Sequence, residues 1–248
     1  MSIIDILLHI AAAVLGYVIG SVNAAVIITK YILKSDVRER GSKNAGAANV
    51  TRVFGPVAGG CTLLLDMAKV MLVMWLGGVM AGETGTATAA IACLTGHCFP
   101  IFFGFKGGKA VAVTAGIGLY MDWRLFLICI GIYLLAFLIK KTASIASLSG
   151  VTFMPITMLI LGGFSASQYV VAIAAVAFVW IMHWPNLVRL AHHEEKAFAV
   201  KKRRMPQRRK SKRSKNWGRA GCRSFLLQKA GICDIICTLQ YKQGESHR

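Results

Sequence analysis

Charge is scarce in this chain. Asp, Glu, Lys and Arg make up 16% of its 248 residues, against about 25% in an ordinary soluble domain. Acidic residues are scarcer still, 10 against 29 Lys and Arg, and only 5 prolines interrupt the sequence. The 7 cysteines form no CxxC pair. No fixed-period repeat is visible, and no run of about ten residues alternates apolar with polar as a membrane strand does. These absences exclude a disordered chain, a collagen-like fibre and a disulfide scaffold, and they argue against a barrel or a repeat array.

Apolar residues make up 56% of the chain, with a mean hydropathy of +0.59. They gather into seven runs, at about 3–29, 54–80, 86–103, 110–121, 124–140, 145–163 and 166–183. A helix crosses the hydrocarbon core with about 20 apolar residues, so the runs predict an all-α, polytopic membrane protein of seven transmembrane helices. The run 110–121 is short, and Pro100 breaks the end of the third. The first run lacks a basic leader and is too long for a cleaved signal peptide. Positive and non-positive loops alternate, beginning with Lys30, Lys34, Arg38, Arg40, Lys43 and Arg52, and Arg124 in an intervening loop is set against Asp122. By the positive-inside rule this predicts the N-terminus outside and the C-terminus in the cytoplasm.

The formal net charge of +19 divides unevenly. Residues 1–200 carry 14 Lys/Arg and 8 Asp/Glu, hence +6; residues 201–248 carry 15 and 2, hence +13. The expected organisation is a transmembrane domain, 1–200, followed by a basic tail, 201–248. Ten of the residues 201–216 are Lys or Arg. Such a run is expected to be disordered, or drawn to anionic lipid headgroups. It carries no groove-reading motif, so no specific nucleic acid is expected.

Polar residues are costly in a membrane, which makes three segments informative. The predicted topology puts all three at the cytoplasmic face. The first, Gly41 to Arg52, mixes small residues with Ser42, Asn44, Asn49 and Arg52. Small residues let backbone amides approach an anion, and arginine grips phosphate with two donors. The second, Gly96 to Lys109, runs from His97 through four phenylalanines to Lys106-Gly107-Gly108-Lys109, ahead of a helix-like run. Amides at a helix N-terminus with a lysine suit phosphate, although the spacing is not that of a nucleotide P-loop. In the third, His183, Asn186 and Arg189 are three apart and suit one helical face, with Pro185 in the first turn. His192, His193, Glu194 and Glu195 follow, but sequence neighbours point different ways on a helix, so no metal site is expected. Asp66 and Lys69 read as a neutralised intramembrane pair, structural in role. Ser144 and Ser147 sit at the start of the sixth run.

These motifs resemble those of the bacterial acyl-phosphate:glycerol-3-phosphate acyltransferases of the PlsY type. Gly-Ser-Lys-Asn-Ala-Gly-Ala-Ala-Asn-Val-Thr-Arg at 41–52 is similar to the family's GSGNxGAxNxxR, with Lys43 replacing a glycine. Residues 96–112 are similar to GHxFPxFxxFKGGKGVA, with Ala110 replacing a glycine. Residues 183–195 resemble HxxNIxRLxxGxE, with His193 where glycine is usual. The resemblance implies a seven-helix bacterial inner-membrane enzyme whose active site faces the cytoplasm. It implies acyl transfer from acyl phosphate to the 1-hydroxyl of glycerol 3-phosphate, without cofactor or metal. By the same resemblance Ser42, Arg52, His183 and Asn186 are the expected catalytic residues. Asn44, Asn49, His97, Lys106, Gly107, Gly108, Lys109, Ser144, Ser147 and Arg189 are expected to bind substrate or phosphate, and Glu195 to be structural. Either His183 or a substrate phosphate takes the hydroxyl proton. The alternative is a small transporter or channel-like protein using the Asp66/Lys69 pair.

Overall fold

The computed structural model describes residues 2–195 and Phe198. The chain divides into a unit of Met1–Lys201 and a unit of Lys202–Arg248. The basic tail, with its expected lipid contacts, lies outside the described residues.

Among those residues every regular element is helical. The helices are α1 (Ile3–Gly20), α2 (Ala24–Val26), α3 (Ala47–Phe54), α4 (Pro56–Cys98), α5 (Val111–Met121), α6 (Trp123–Lys140), α7 (Ala143–Leu161), α8 (Ala166–Met182) and α9 (Trp184–Ala191). Each of the seven apolar runs coincides with a helix or a helical limb. By length and composition, four helical stretches are able to cross a membrane: Ile3–Ile32, Pro56–Phe103, Trp123–Lys140 and Ala143–Leu161. The pair Ala166–Met182 and Trp184–Ala191, bent by 55°, makes a fifth if taken as one span.

α4 is two limbs, broken at Ala81 and Gly82, where Gly82 takes φ +61°. The limbs fold back closely enough that a Cβ on Gly77 would stand 2.4 Å from the Gly85 carbonyl oxygen. α1 leans on the second limb through small residues: a Cβ on Gly20 would meet the Cys93 carbonyl oxygen at 2.5 Å. Close backbone contact of this kind holds membrane helices together where lipid removes the hydrophobic drive between them.

The burial pattern is that of a protein solvated by lipid. Apolar side chains face outward, among them Ile3 at 78%, Leu138 at 71% and Ile160 at 79% exposure, while Asn23, Asp66, His97, Ser144, Ser147, His183 and Asn186 are buried. Buried polar groups must find partners inside the bundle. Two expectations about single helices are refined here. The first run is interrupted after Gly20 and continues as α2 and a π-helical stretch, Ile27–Ile32. The third ends at Cys98, and a 3-10 turn, Ile101–Phe103, follows Pro100.

Candidate active site

The first polar segment folds around one side chain. Asn49 is buried; its Oδ1 accepts the Ser42 N–H at 2.9 Å, and its Nδ2 faces the carbonyls of Val37, Arg40 and Asn44 at 3.1, 3.0 and 3.0 Å. Two amide protons shared among three carbonyls leave no free donor for a substrate phosphate. Asn49, expected as a substrate contact, is spent on holding the loop. Gly41 turns there at φ +59°, and a Cβ on it would strike Asn49 Oδ1 at 2.2 Å. The loop so held presents Ser42, Lys43 and Asn44 to a cavity, with Arg52 on α3 beside them. The Arg52 guanidinium lies 5.2 Å over the Phe198 ring and has no carboxylate partner among the described residues.

The second segment is built on His97. Lys69 Nζ donates to the Gly20 carbonyl at 3.1 Å, the Val22 carbonyl at 3.0 Å and His97 Nδ1 at 3.0 Å, and stands 2.8 Å from Asp66 Oδ1. An ammonium only donates, so Nδ1 accepts and Nε2 carries the imidazole proton. Lys69 thus ties the end of α1 to α4. Gly107 and Gly108 crowd the same histidine. A Cβ on Gly107 would lie 2.0 Å from the His97 carbonyl oxygen, and one on Gly108 2.2 Å from His97 Nε2. The Gly108 N–H donates to the His97 carbonyl at 3.1 Å, so this amide serves the turn. Lys106 is exposed and does not border the cavity, whereas Lys109 does.

The third segment closes a polar knot. Pro185 opens α9, and His183 caps the end of α8. Lys109 Nζ donates to Asn186 Oδ1. Asn186 Nδ2 donates to Ser144 Oγ at 2.7 Å and to Glu195 Oε1 at 2.6 Å. Ser144 Oγ donates to Glu195 at 2.7 Å, and Arg189 Nε at 2.8 Å. Burial pushes the Glu195 carboxyl up, but hydrogen bonds from Ser144, Arg189 and Asn186 outweigh it and hold the group below its usual value. Burial lowers the Lys109 ammonium to about 8, with Glu195 opposing and Arg189 and Arg52 adding to the drop.

All three segments meet on one cavity of about 1030 Å³. Its polar end is bordered by Ser42, Arg52, Lys109, Ser144, His183 and Asn186, and its apolar side by Phe126, Ile130, Leu134, Phe137 and Met154 of α6 and α7. Asn44, Asn49, Asp66, His97, Ser147, Arg189 and Glu195 also border it; Lys69, Gly107 and Gly108 stand behind. The space therefore offers cations at one end and room for a hydrocarbon chain along the other. Sequence reading missed Thr114 on α5 and the α6–α7 face, because nothing distinguishes them from ordinary apolar helix.

The residues that replace glycines of the family pattern share one property. Lys43, Ala110 and His193 all have left-handed backbone, at φ +60°, +60° and +57°. Glycine takes that conformation without steric cost, which accounts for its place at these three turns.

A family model described as glycerol-3-phosphate acyltransferase matches residues 10–193. The glycerol-3-phosphate acyltransferase of Carboxydothermus hydrogenoformans is 33% identical over 193 residues, 78% of this chain and 98% of that one. That of Paramagnetospirillum magneticum is 35% identical over 195 residues, 78% and 96% of the two chains. The crystal structure of PlsY (YgiH), an integral membrane glycerol 3-phosphate acyltransferase, in its glycerol 3-phosphate form, matches with a TM-score of 0.72 at 28% identity. It covers 77% of this chain and 96% of that one; the lysophosphatidic acid form matches at 0.71. The transport alternative loses its path as well as its family, since Lys69 is bound to two carbonyls and a histidine. In sequence, helical fold and site, this multi-pass membrane chain belongs to the glycerol-3-phosphate acyltransferase family.

Proposed function

We propose that this acyltransferase uses acyl phosphate as its donor and acylates the 1-hydroxyl of sn-glycerol 3-phosphate, yielding lysophosphatidic acid and inorganic phosphate. The carrying observation is the cavity itself, which joins a cationic end to an apolar flank between α6 and α7. Both substrates bear phosphate, and Arg52 and Lys109 border the polar end. An acyl phosphate is a mixed anhydride and needs no covalent enzyme intermediate. Positioning and charge stabilisation carry the rate. The acceptor oxygen attacks the acyl carbon, the carbon–oxygen bond to phosphate breaks, and phosphate leaves with the bonding pair. The acceptor proton goes to His183 Nε2 or to a substrate phosphate oxygen. Ser42, Arg52 and Asn186 orient and neutralise the reacting groups in this scheme, and Glu195 fixes Asn186.

The same reading places seven transmembrane helices in a bacterial inner membrane, N-terminus outside, with the cavity opening to the cytoplasm. Residues 1–200 are the enzyme, and the basic residues 201–248 meet anionic lipid. The alternation of positive and non-positive loops supports it. The test is an assay of purified protein in lipid, with labelled glycerol 3-phosphate and palmitoyl phosphate, beside palmitoyl-CoA. Lysophosphatidic acid is expected from the phosphate donor alone, and not from the Ser42→Ala variant. Product from palmitoyl-CoA, or none from either donor, overturns the reading.

A further inference from the structure

Phe198 lies three residues past the third polar segment, and the chain fixes it there from two directions. Its N–H donates to the Lys141 carbonyl at 2.8 Å, at the C-terminal end of α6. Lys141 turns there in left-handed backbone at φ +51°. Glu195, just before Phe198, accepts from Ser144 Oγ at 2.7 Å, in the first turn of α7. Both anchors thus fall on the α6–α7 turn, and neither uses the aromatic ring. The ring is half-buried, borders the cavity and belongs to neither buried apolar cluster of the bundle.

The ring stands between the two linings of that space. On one side the Arg52 guanidinium is 5.2 Å from its centroid. On the other the Phe137 ring lies 5.6 Å away at 72°, an edge-to-face pair. Phe137 in turn is parallel to Tyr133, one turn back on α6, at 6.3 Å. Arg52 has no carboxylate partner among the described residues to hold it. Burial lowers the Lys109 ammonium first, and Arg52, bordering the same polar end, adds to the drop, so the two cations repel. An aromatic face attracts the guanidinium charge and offers no lone pair, which leaves the N–H donors free for a phosphate. A long side chain held in this way is ordered before substrate arrives.

We propose that Phe198 is a positioning residue for the acyl transfer: its ring holds the Arg52 guanidinium where the cationic end of the cavity meets the apolar side, on the phosphate of the acyl donor. The assignment rests on the acyl-phosphate reading above. That donor carries its phosphate at one end of a hydrocarbon chain, so the phosphate comes to rest where the two linings join. Glycerol 3-phosphate has no chain to place, and Lys109 serves its phosphate. Phe198 makes and breaks no bond; it acts through Arg52.

The test measures lysophosphatidic acid formation by the full chain in lipid, with palmitoyl phosphate and glycerol 3-phosphate varied in turn. Product from the unaltered protein is the separate check on the acyl transfer itself. Phe198→Leu keeps the apolar bulk and removes the aromatic face. It is expected to raise the KM for palmitoyl phosphate about fivefold and to leave the KM for glycerol 3-phosphate unchanged. Inhibition by inorganic phosphate, competing with the donor, is expected to weaken in step. Phe198→Tyr and Phe198→Trp restore an aromatic face and are expected to recover both. Decanoyl phosphate, a shorter donor, is expected to show the same change as palmitoyl phosphate. A donor KM unchanged in Phe198→Leu overturns the proposal, and so does one that stays raised in the Tyr and Trp variants. An equal rise for both substrates overturns it too, since it marks a merely structural role. A rise that depends on chain length means that the ring serves the hydrocarbon and not Arg52, and overturns it likewise.

Discussion

The Nδ1–H of His183 donates to the Val179 carbonyl oxygen at 2.8 Å, one helical turn back. A carbonyl only accepts, so the ring proton is on Nδ1 and Nε2 keeps its lone pair, on a residue that borders the cavity. A neutral base is thereby held in one tautomer by the backbone of α8. His183→Ala is expected to lower kcat by about 10²–10⁴ while the protein stays folded. A loss below tenfold in steady-state assays means that a substrate phosphate, not His183, takes the proton.

Lys109 gives a pH dependence of definite sign. Burial holds its ammonium at about 8, down from 10.5. The folded state therefore carries fewer protons than the unfolded chain between those values, and the cost of burying the cation eases as pH rises through them. Phosphate binding needs the charged form. The KM for glycerol 3-phosphate is thus expected to rise above about pH 8, measured as the alkaline limb of kcat/KM. Lys109→Arg, charged throughout, is expected to lack that limb.

Glu195 sets the acid side. Its folded pKa lies below the ordinary 4.5, held down by Ser144, Arg189 and Asn186 against burial. The stability it contributes is fully present above that ordinary value and is lost as pH falls through the lower folded one. Thermal unfolding followed from neutral to acid pH is expected to show this loss, and Glu195→Gln to flatten it.

Gly108 tolerates no side chain. An alanine Cβ there would overlap His97 Nε2 at 2.2 Å and His97 Cε1 at 2.8 Å, and press the Ala45 carbonyl at 3.0 Å. Gly108→Ala is expected to displace His97 or Lys109 and to abolish measurable acyl transfer. Equal change at Gly131, where a Cβ meets nothing within 4 Å and which does not border the cavity, is the control and is expected to be silent.

The left-handed positions make the opposite prediction. His193 sits at φ +57° on the surface next to the Glu195 knot. Relief of that strain by His193→Gly is expected to stabilise the protein by about 1 kcal/mol, or roughly 2–4 °C in a chain of this size. The midpoint of thermal unfolding in detergent reads it directly.

The helices were legible in sequence because each is a run of apolar residues with no rival conformation in lipid. The α8–α9 bend was legible too, since Pro185 cannot continue a helix but can begin one. Motif spacing marked His183, Asn186, Arg52 and Lys109, all of which border the cavity. It did not separate those residues from Asn49, whose amide is consumed by Val37, Arg40 and Asn44. The number of free donors on a side chain depends on its neighbours, and no local pattern records them.

Sequence alone determined that this chain is a helical membrane protein and where its polar segments lie, because hydropathy and turn chemistry act over a few residues at a time. Tertiary structure decided what those segments do together. It turned the second segment inward onto His97 and placed Lys109 on Asn186, 77 residues away. It closed Asp66 wholly inside the bundle, with Lys69 Nζ 2.8 Å from its Oδ1. The reason is that hydrogen-bond satisfaction in a membrane interior is a property of packed helices: which groups are left over is known only when every other partner has been assigned.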